Sequence, residues 1–541
     1  AAFNRWFARQ MDRYTAFTPT LMRHVARTGV FVAVVLGVIF VVWRKLPAGF
    51  LPEEDQGYVM VMVSTPEASS LQVTRQAMAD ADAVIRTLPE VASTSFAAGF
   101  NMMAGIASTS SGIIFVKLVD YSDRRLSAMQ IAQRLTGELY VAVPGAECYA
   151  FIPPSIPGLG VTSGVSVEVQ DLEGRGTAYL MENAGRLMDS LRKNPAIASV
   201  TTQFDAGVPQ RRLRIDKQQA LAAGVDLGTL YGELTTLLGG AYINNFTRFG
   251  KLYQTYIQAA PDYRLDRRSL DSYYVTSASG ESVPVASLID VADTVGVEYV
   301  SQFNLYRSVS LTVTPAARAS TTTVMREITA TAAETLPDDI GTAWSGTSYQ
   351  EANASKTGGL VYALALVFVF LALAALYESW GLPLAILMSV PVAVLGAVLF
   401  IGVSHLLDAF FVNDVYMQIS LVMLIGLAAK NAILIVEYAR DKFSEGMNLQ
   451  QAALEGAKLR VRPVIMTAVA FLMGVLPLIF ATGSNAVARN IMGLALFGGM
   501  LIATLIGLFA YPGLFVLIGK WGRYEEKRNQ KAATENSPAV K

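Results

Sequence analysis

Cysteine and histidine are almost missing from this chain. Its 541 residues include one cysteine, Cys148, and two histidines, His24 and His405. A lone cysteine excludes an internal disulfide and a cysteine-based metal site. Two histidines make a Ser/His/Asp site implausible, so neither enzyme chemistry nor a bound metal or organic cofactor is expected. Charge is scarce too. Asp, Glu, Lys and Arg make up 16% of the chain, against about 25% in soluble domains. The 43 basic residues balance the 43 acidic ones, so no basic excess points to nucleic acid. No secretory leader opens the sequence, and its first residue is not Met. It starts inside a polar, amphipathic segment, as expected of a piece cut from a longer chain.

What is abundant is apolar, 52% of the residues, and it is concentrated. Uncharged stretches run over 28–43, 357–377, 379–407, 415–429 continuing past one lysine to 436, 463–488 and 490–519. About 20 apolar residues cross the hydrocarbon core, so six transmembrane helices are predicted. The first is the shortest, and Arg27 and Arg44 can snorkel to the two interfaces. The stretch 415–436 holds one ionisable residue, Lys430, near its middle. A cation there costs about 2.5–3.5 kcal/mol on insertion scales, and such residues mark function. Glu437 lies about 10 Å further along the axis. Asp408 and Asp414 fall in the loop before the helix. None sits at the depth of Lys430, so its counter-charge is expected on a helix outside this sequence.

Orientation follows from basic residues in short loops. Arg5, Arg9, Arg13, Arg23 and Arg27 precede the first helix. Arg440, Lys442, Lys458, Arg460 and Arg462 follow the lysine helix, and Lys520, Arg523, Lys527, Arg528 and Lys531 end the chain. Six crossings put all three groups on one side, the cytoplasm. In 1–27, Phe3, Trp6, Phe7 and Met11 alternate with arginines. That suits a helix lying on the cytoplasmic face, and also a solvated linker helix. About 300 residues between the first and second spans then lie outside, in the periplasm of a Gram-negative cell.

That insertion reads as mixed α/β. Strand-like alternation at 57–64, helical period at 71–88, strands at 91–96 and 112–119, a helix at 128–139 and a strand at 147–152 give β-α-β-β-α-β, a ferredoxin-like unit. A second unit starts with strand 165–170, helix 179–193 and strands 198–203 and 210–215. After an interruption it resumes with strand 309–315, helix 322–335 and strand 341–344. The two units form an internal repeat. The expected domains are a linker helix 1–27, a membrane helix 28–46, a first α/β unit 47–160, a second at 161–225 and 306–352, an inserted subdomain 226–305, a five-helix membrane block 353–520 and a cytoplasmic tail 521–541.

Several strings along the chain carry a family resemblance: LPAGFLPEEDQG (46–57), GTSYQE (346–351), AALYESW (374–380), NDVYMQ (413–418), GLAAKNAILIVEYA (426–439), RVRPVIMT (460–467) and GGMLIAT (498–504). In this order they resemble the C-terminal half of a resistance–nodulation–division (RND) efflux pump of the hydrophobe/amphiphile, acriflavine-resistance type. The resemblance covers essentially the whole chain. It implies that the six spans are helices seven to twelve of twelve, and that the two α/β units are porter subdomains. It also implies a proton-driven, non-enzymatic exporter of amphiphilic small molecules in the inner membrane, powered by the proton motive force.

The resemblance also assigns roles. Lys430 matches the lysine that pairs with two proton-binding aspartates carried by the N-terminal half. Thr467 matches a proton-relay threonine and Arg460 an arginine at the cytoplasmic mouth of the proton path, with Asn431 as a polar neighbour. A threonine hydroxyl bonded back to its own helix, or an arginine acting only as a positive-inside anchor, would look the same in sequence. The stretch 99–111 (GFNMMAGIASTSS), glycine-rich and loop-like, aligns with the family's switch loop through Gly99, Asn101, Met103 and Gly105. Phe96, Phe100, Met102, Phe115, Tyr149 and Phe151 match substrate-binding positions, or serve as plain core. Gly239, Gly240, Tyr242, Asn244, Asn245 and Phe246 (GGAYINNFTRFG, 239–250) match the funnel-like docking part. Thr201 stands where some relatives carry a pocket arginine, so a preference for acidic drugs is not implied. The implied partners are the other half of the pump, two further copies in a homotrimer, a periplasmic adaptor, an outer-membrane channel and the lipid bilayer. Three alternatives remain. Met102 and Met103 also suit export of soft metal ions; the chain could be a non-transporting membrane scaffold; and it could be a naturally split subunit.

Overall fold

The structure is a computed structural model. It describes residues 11–522 except 12, 17, 20, 21, 23, 24, 157, 317, 318 and 409, and the side chains of 25 and 355–358. Phe3, Arg5, Trp6, Phe7, Arg9, Arg23 and the tail from 523 lie outside the described residues. The chain divides into two compact units, Ala1–Gln203 with Ser301–Lys541, and Phe204–Val300.

In the larger unit, helix α1 (Val25–Lys45) ends in Arg44 and Lys45. The Arg44 guanidinium lies 5.5 Å from the centroid of Phe40. Then come β1 (Tyr58–Ser64), α2 (Leu71–Ile85), β2 (Val91–Asn101), β3 (Ile106–Leu118), α3 (Ala128–Ala142) and β4 (Glu147–Phe151). They form an antiparallel sheet in the order β2-β3-β1-β4, the predicted split βαβ arrangement. Alternate residues of a strand share a face. Val59, Val61 and Val63 therefore all meet the helices, against Met78 and Ile85 of α2 and Ile131, Leu135 and Leu139 of α3. A capping box between Ser127 and Gln130 starts α3.

The next elements are β5 (Val165–Asp171), α4 (Thr177–Leu191) and β6 (Ile197–Thr202). The smaller unit follows, with β7 (Val208–Ile215), α5 (Leu227–Leu234), the hairpin β8 (Ala241–Arg248) and β9 (Lys251–Ile257), and β10 (Ile289–Gly296). The chain then continues through β11 (Ser301–Phe303), β12 (Tyr306–Pro315), α6 (Thr321–Thr335) and β13 (Ile340–Trp344). Strand order is β6-β12-β5-β13, the same as in the first α/β unit, so the internal repeat is present.

Two sequence expectations need correction here. The segment 210–215, expected in the second α/β unit, pairs along its length with β10, from Ile215 opposite Ile289 to Val208 opposite Gly296. The insertion therefore begins at Phe204 and ends at Val300, not at 226 and 305. Alternation identifies a strand but not its partner. The segment 99–111 is not a loop. β2 runs to Asn101 and β3 starts at Ile106, leaving a turn at 102–105. Gly99, at φ +88°, lies where the ladder shifts register, as a bulge does. The Asn101 side chain builds the turn. Its Oδ1 accepts the N–H groups of Met103 and Ala104 at 3.1 and 3.0 Å.

The remaining helices are α7 (Gly346–Tyr377), α8 (Gly381–Leu387), α9 (Val390–Leu407), α10 (Val415–Ser444), α11 (Leu449–Ile479), α12 (Ala486–Leu505) and α13 (Gly507–Trp521). Six spans are long and apolar enough to cross a membrane, as expected. Their limits differ from the uncharged runs. α11 starts at Leu449, ahead of its charged turns, and the run 490–519 is broken at Ile506. Helices α9 and α12 approach closely through small residues: a Cβ on Gly396 would strike the Gly498 carbonyl, and one on Gly498 the Phe400 ring.

The break at Ile506 exposes carbonyls that an apolar interior cannot leave bare. Tyr511 donates its hydroxyl to the Ala503 carbonyl at 2.9 Å. Pro512 has no N–H, so the Leu508 carbonyl loses its helical partner; Tyr14 donates to it at 2.8 Å from a buried position. Tyr14→Phe should therefore destabilise the protein by about 1–3 kcal/mol, the cost of an unsatisfied buried acceptor. In a Pro512→Ala background, which restores an N–H, the loss should shrink. Thermal unfolding of the four variants of this cycle in detergent measures the difference.

Candidate functional site

Helix α10 has two unlike faces. Met417, Leu421, Leu424, Ala428, Ala432, Ile435 and Ala439 are buried against the neighbouring helices. Ile419, Met423, Gly426, Lys430 and Glu437, spaced by three, four or seven, form an exposed stripe. Among the described residues Lys430 makes no ion pair and no hydrogen bond. Asn431 does not share its face. One residue turns a helix by about 100°, and Asn431 is fully buried, its Nδ2 3.9 Å from Met500 Sδ and its Oδ1 without a partner among the described residues.

The other residues assigned to the proton path lie on α11. Thr467 is half-buried and donates its hydroxyl to the Val464 carbonyl at 3.1 Å, a bond back to its own helix. The Arg460 guanidinium lies 4.9 Å from the centroid of Tyr438 on α10. Lys442 Nζ lies 5.6 Å from the same centroid, so two cations share one ring near the C-terminal end of α10.

The first α/β sheet turns its other face away from α2 and α3. Met60, Met62, Ile113 and Phe151 are buried there, with Tyr58, Met102, Tyr149 and Val161 packed against them. Tyr149 and Phe151 stack with centroids 5.9 Å apart. Phe115 stands opposite Met60, 38% exposed, and lines a hollow of about 370 Å³ with Gln56, Tyr58, Ser95 and Lys117. The structure thus brings together Met102, Phe115, Tyr149 and Phe151. It separates Phe96, which pairs with Ile114 on the helix-facing side. Met60 and Met62 were missed. Their signal is the string YVMVMVS of β1, apolar on both alternations, as in a strand covered on both faces. Asn101, through Nδ2, reaches Gln203 Oε1 at 3.4 Å, so the hairpin turn touches the end of the second α/β unit.

The residues assigned to docking lie on or just before the β8–β9 hairpin. Gly239 closes a single π-helical turn, and the Gly240 N–H donates to the Thr235 and Thr236 carbonyls. Tyr242, Asn244, Asn245 and Phe246 are exposed on β8. Tyr242 packs edge-on against Tyr256, and Phe246 stacks on Tyr253. Both residues of the tight turn, Phe249 and Gly250, have positive φ, as a type I′ turn demands.

One cluster had no assigned role, the acidic run that follows α1. Asp55 takes a two-pronged ion pair from Arg124 at 2.7 Å and the Ala128 N–H that starts α3. These hydrogen bonds hold its carboxyl below the usual range against the opposing effect of burial. Glu54, 2% exposed, accepts the N–H groups of Val487 and Ala488 at the start of α12. Consecutive carboxylates therefore grip different bodies, a membrane helix and an α/β unit.

Comparison with known proteins bears on this arrangement. Residues 1–519 match the model of the AcrB/AcrD/AcrF family. The chain is 34% identical over 541 residues to the toluene efflux pump membrane transporter TtgB of Pseudomonas putida, covering 99% of this chain and 50% of the relative. It is 34% identical over 540 residues to the antibiotic efflux pump membrane transporter ArpB of Pseudomonas putida, with the same coverage. It is 32% identical over 525 residues, 96% of this chain, to the multidrug resistance protein MdtF of Escherichia coli K12. The chain spans about half the length of the curated relatives it matches. A repeat of split βαβ units between apolar spans, with a family match over nearly every residue, places the chain in the AcrB/AcrD/AcrF family of RND transporters.

Proposed function

We propose that this chain is the C-terminal half of a proton-driven exporter of amphiphilic compounds. The observation that supports it is the outward stripe of α10, where Lys430 stands without a counter-charge among the described residues. An N-terminal half bearing two aspartates at that depth would cover the stripe. Two carboxylates close to an ammonium titrate as a coupled set. Protonating one weakens the hold on Lys430 and lets the helices repack. A proton falling through the membrane potential supplies about 2.3 kcal/mol per 100 mV, enough to bias packed helices between discrete arrangements. Thr467 and Arg460 would relay and admit the proton from the cytoplasmic side.

Substrate would bind on the free face of the first α/β sheet, over Phe115, Tyr149 and Phe151, and leave through the docking unit. The partners of this reading are a homotrimer in the inner membrane, a periplasmic adaptor and an outer-membrane channel. In cells expressing both halves, Lys430→Ala should abolish efflux of a cationic amphiphilic dye while the halves still co-purify. Normal efflux by that variant would refute the proton-coupling role, whereas no efflux even by the unmodified pair of halves would favour the membrane-scaffold alternative.

A second reading rests on Met60, Met62 and Met102, which share one cluster. Thioethers bind soft cations such as Cu(I). Under the amphiphile reading Met62→Leu conserves volume and apolarity, so copper and silver tolerance of the host should not change and dye efflux should stay within about threefold, less than 1 kcal/mol. A collapse of metal tolerance with dye efflux intact would reverse the preference.

A further inference from the structure

The joint between the helices and the first α/β unit holds two buried carboxylates that the scheme above does not use. Asp414 is fully buried at the start of α10. Its Oδ1 accepts the Met417 N–H at 2.8 Å, and its Oδ2 has no partner among the described residues. Glu54 caps α12 from a buried position. Backbone hydrogen bonds stitch their two segments together. The Asn413 N–H donates to the Pro47 carbonyl at 2.9 Å, the Gly49 N–H to the Asn413 carbonyl at 3.2 Å, and the Val415 N–H to the Phe50 carbonyl at 3.1 Å. Glu54 follows four residues after Phe50, and its charge acts on Asp414.

The other groups that act on the pair are Arg489, Asp55, Tyr121 and Tyr416. Arg489 is the cation among them, but its guanidinium turns to the carbonyls of Thr482, Ser484 and Asn485. Asp55 is already held by Arg124. Neither neutralises Asp414.

We propose that Asp414 and Glu54 form a proton-binding pair at the outer end of the bundle, with Asp414 Oδ2 as the atom that takes the proton. The proton comes from water on that side, and the pair passes from two negative charges to one. Burial pushes the Asp414 carboxyl up to about 7 against the pull of its backbone hydrogen bonds, and the Glu54 charge adds to the rise. The pair caps α10, the helix of Lys430, and α12. The next residue, Asp55, clamps the first α/β unit. A proton gained on Asp414 Oδ2 removes the negative charge at the N-terminus of α10 without breaking the cap made by Oδ1. This site is separate from Lys430 and does not depend on the role given to that residue.

Infrared titration of the membrane-embedded pump containing this chain tests it. A protonated-carboxyl band should titrate with a midpoint near 7. It should vanish in Asp414→Asn, whose amide oxygen keeps the cap, and move to lower pH in Glu54→Gln. Lys430→Ala should leave it in place. Stability provides a second readout. A raised carboxyl favours the neutral form, so its contribution holds at low pH and is lost as pH rises through the folded value. The melting temperature of Asp414→Asn should therefore gain on the parent as pH rises from about 4 to about 7, and the difference should level off above that. A parent-minus-Asp414→Asn difference spectrum with no band titrating near 7, or a band in that difference spectrum that disappears in Lys430→Ala, would overturn the proposal. So would a melting difference that does not vary with pH, since Asp414 would then be ionised throughout.

Discussion

Polar groups within an apolar bundle must find partners, and this chain meets that demand unevenly. Where backbone geometry fails, it supplies its own hydroxyls. The carbonyls exposed around Ile506 and Pro512 are taken by Tyr511 and by Tyr14, which lies nearly 500 residues away in sequence. The neutral polar atoms at that break are answered from inside. The ammonium of Lys430 is not, because it stands on the stripe of α10 that the other helices leave uncovered. The proposed N-terminal half, with its carboxylates, is what would cover that stripe.

The α/β part follows a different rule. Both α/β units use the same strand order, and in the first the helices cover one face only. Apart from Lys117, beside Phe115 in its hollow, the remaining face is built mainly from methionines and aromatics. Such side chains adapt their shape at low cost, so a surface built from them recognises size and apolarity more than hydrogen-bonding pattern. That property fits the proposed export of amphiphilic compounds.

The fold was legible in sequence where the signal is local. Uncharged runs located the spans, and β-α-β-β-α-β followed from alternation and helical period. Non-local facts were not legible. Segment 208–215 alternates like any strand, and only its pairing with 289–296 shows that it belongs to the insertion. Gly99 and the serines of 106–111 read as a loop because small residues are loop formers, yet alternating Ser and Thr also suit a hairpin extended past a bulge. For the site, Phe96 and Phe115 could not be sorted by spacing, since two strands joined by a bulged hairpin lose a common parity. Lys430 was found because charge in oil is rare. Asp414 looked like a loop residue, and only its burial at a helix cap makes it chemically unusual.

The two α/β units are fastened to the helices in different ways, and this bears on how motion could pass between them. The second unit runs from β13 into α7 through Gly346, whose positive φ starts the helix. α7 then continues for 32 residues, about 48 Å, into its apolar span. Glu351, one turn in, is held by the hydroxyls of Thr321 and Thr322 on α6. That unit is tied to α7 as one rod. The first unit hangs instead from the acidic run, through Arg124 on Asp55 and the α12 cap on Glu54. Any displacement of α7 against α12 must therefore change how the two units face each other. The proposed protonation of Asp414 would act at this joint, beside the Glu54 cap of α12 and the Asp55 clamp on the first unit.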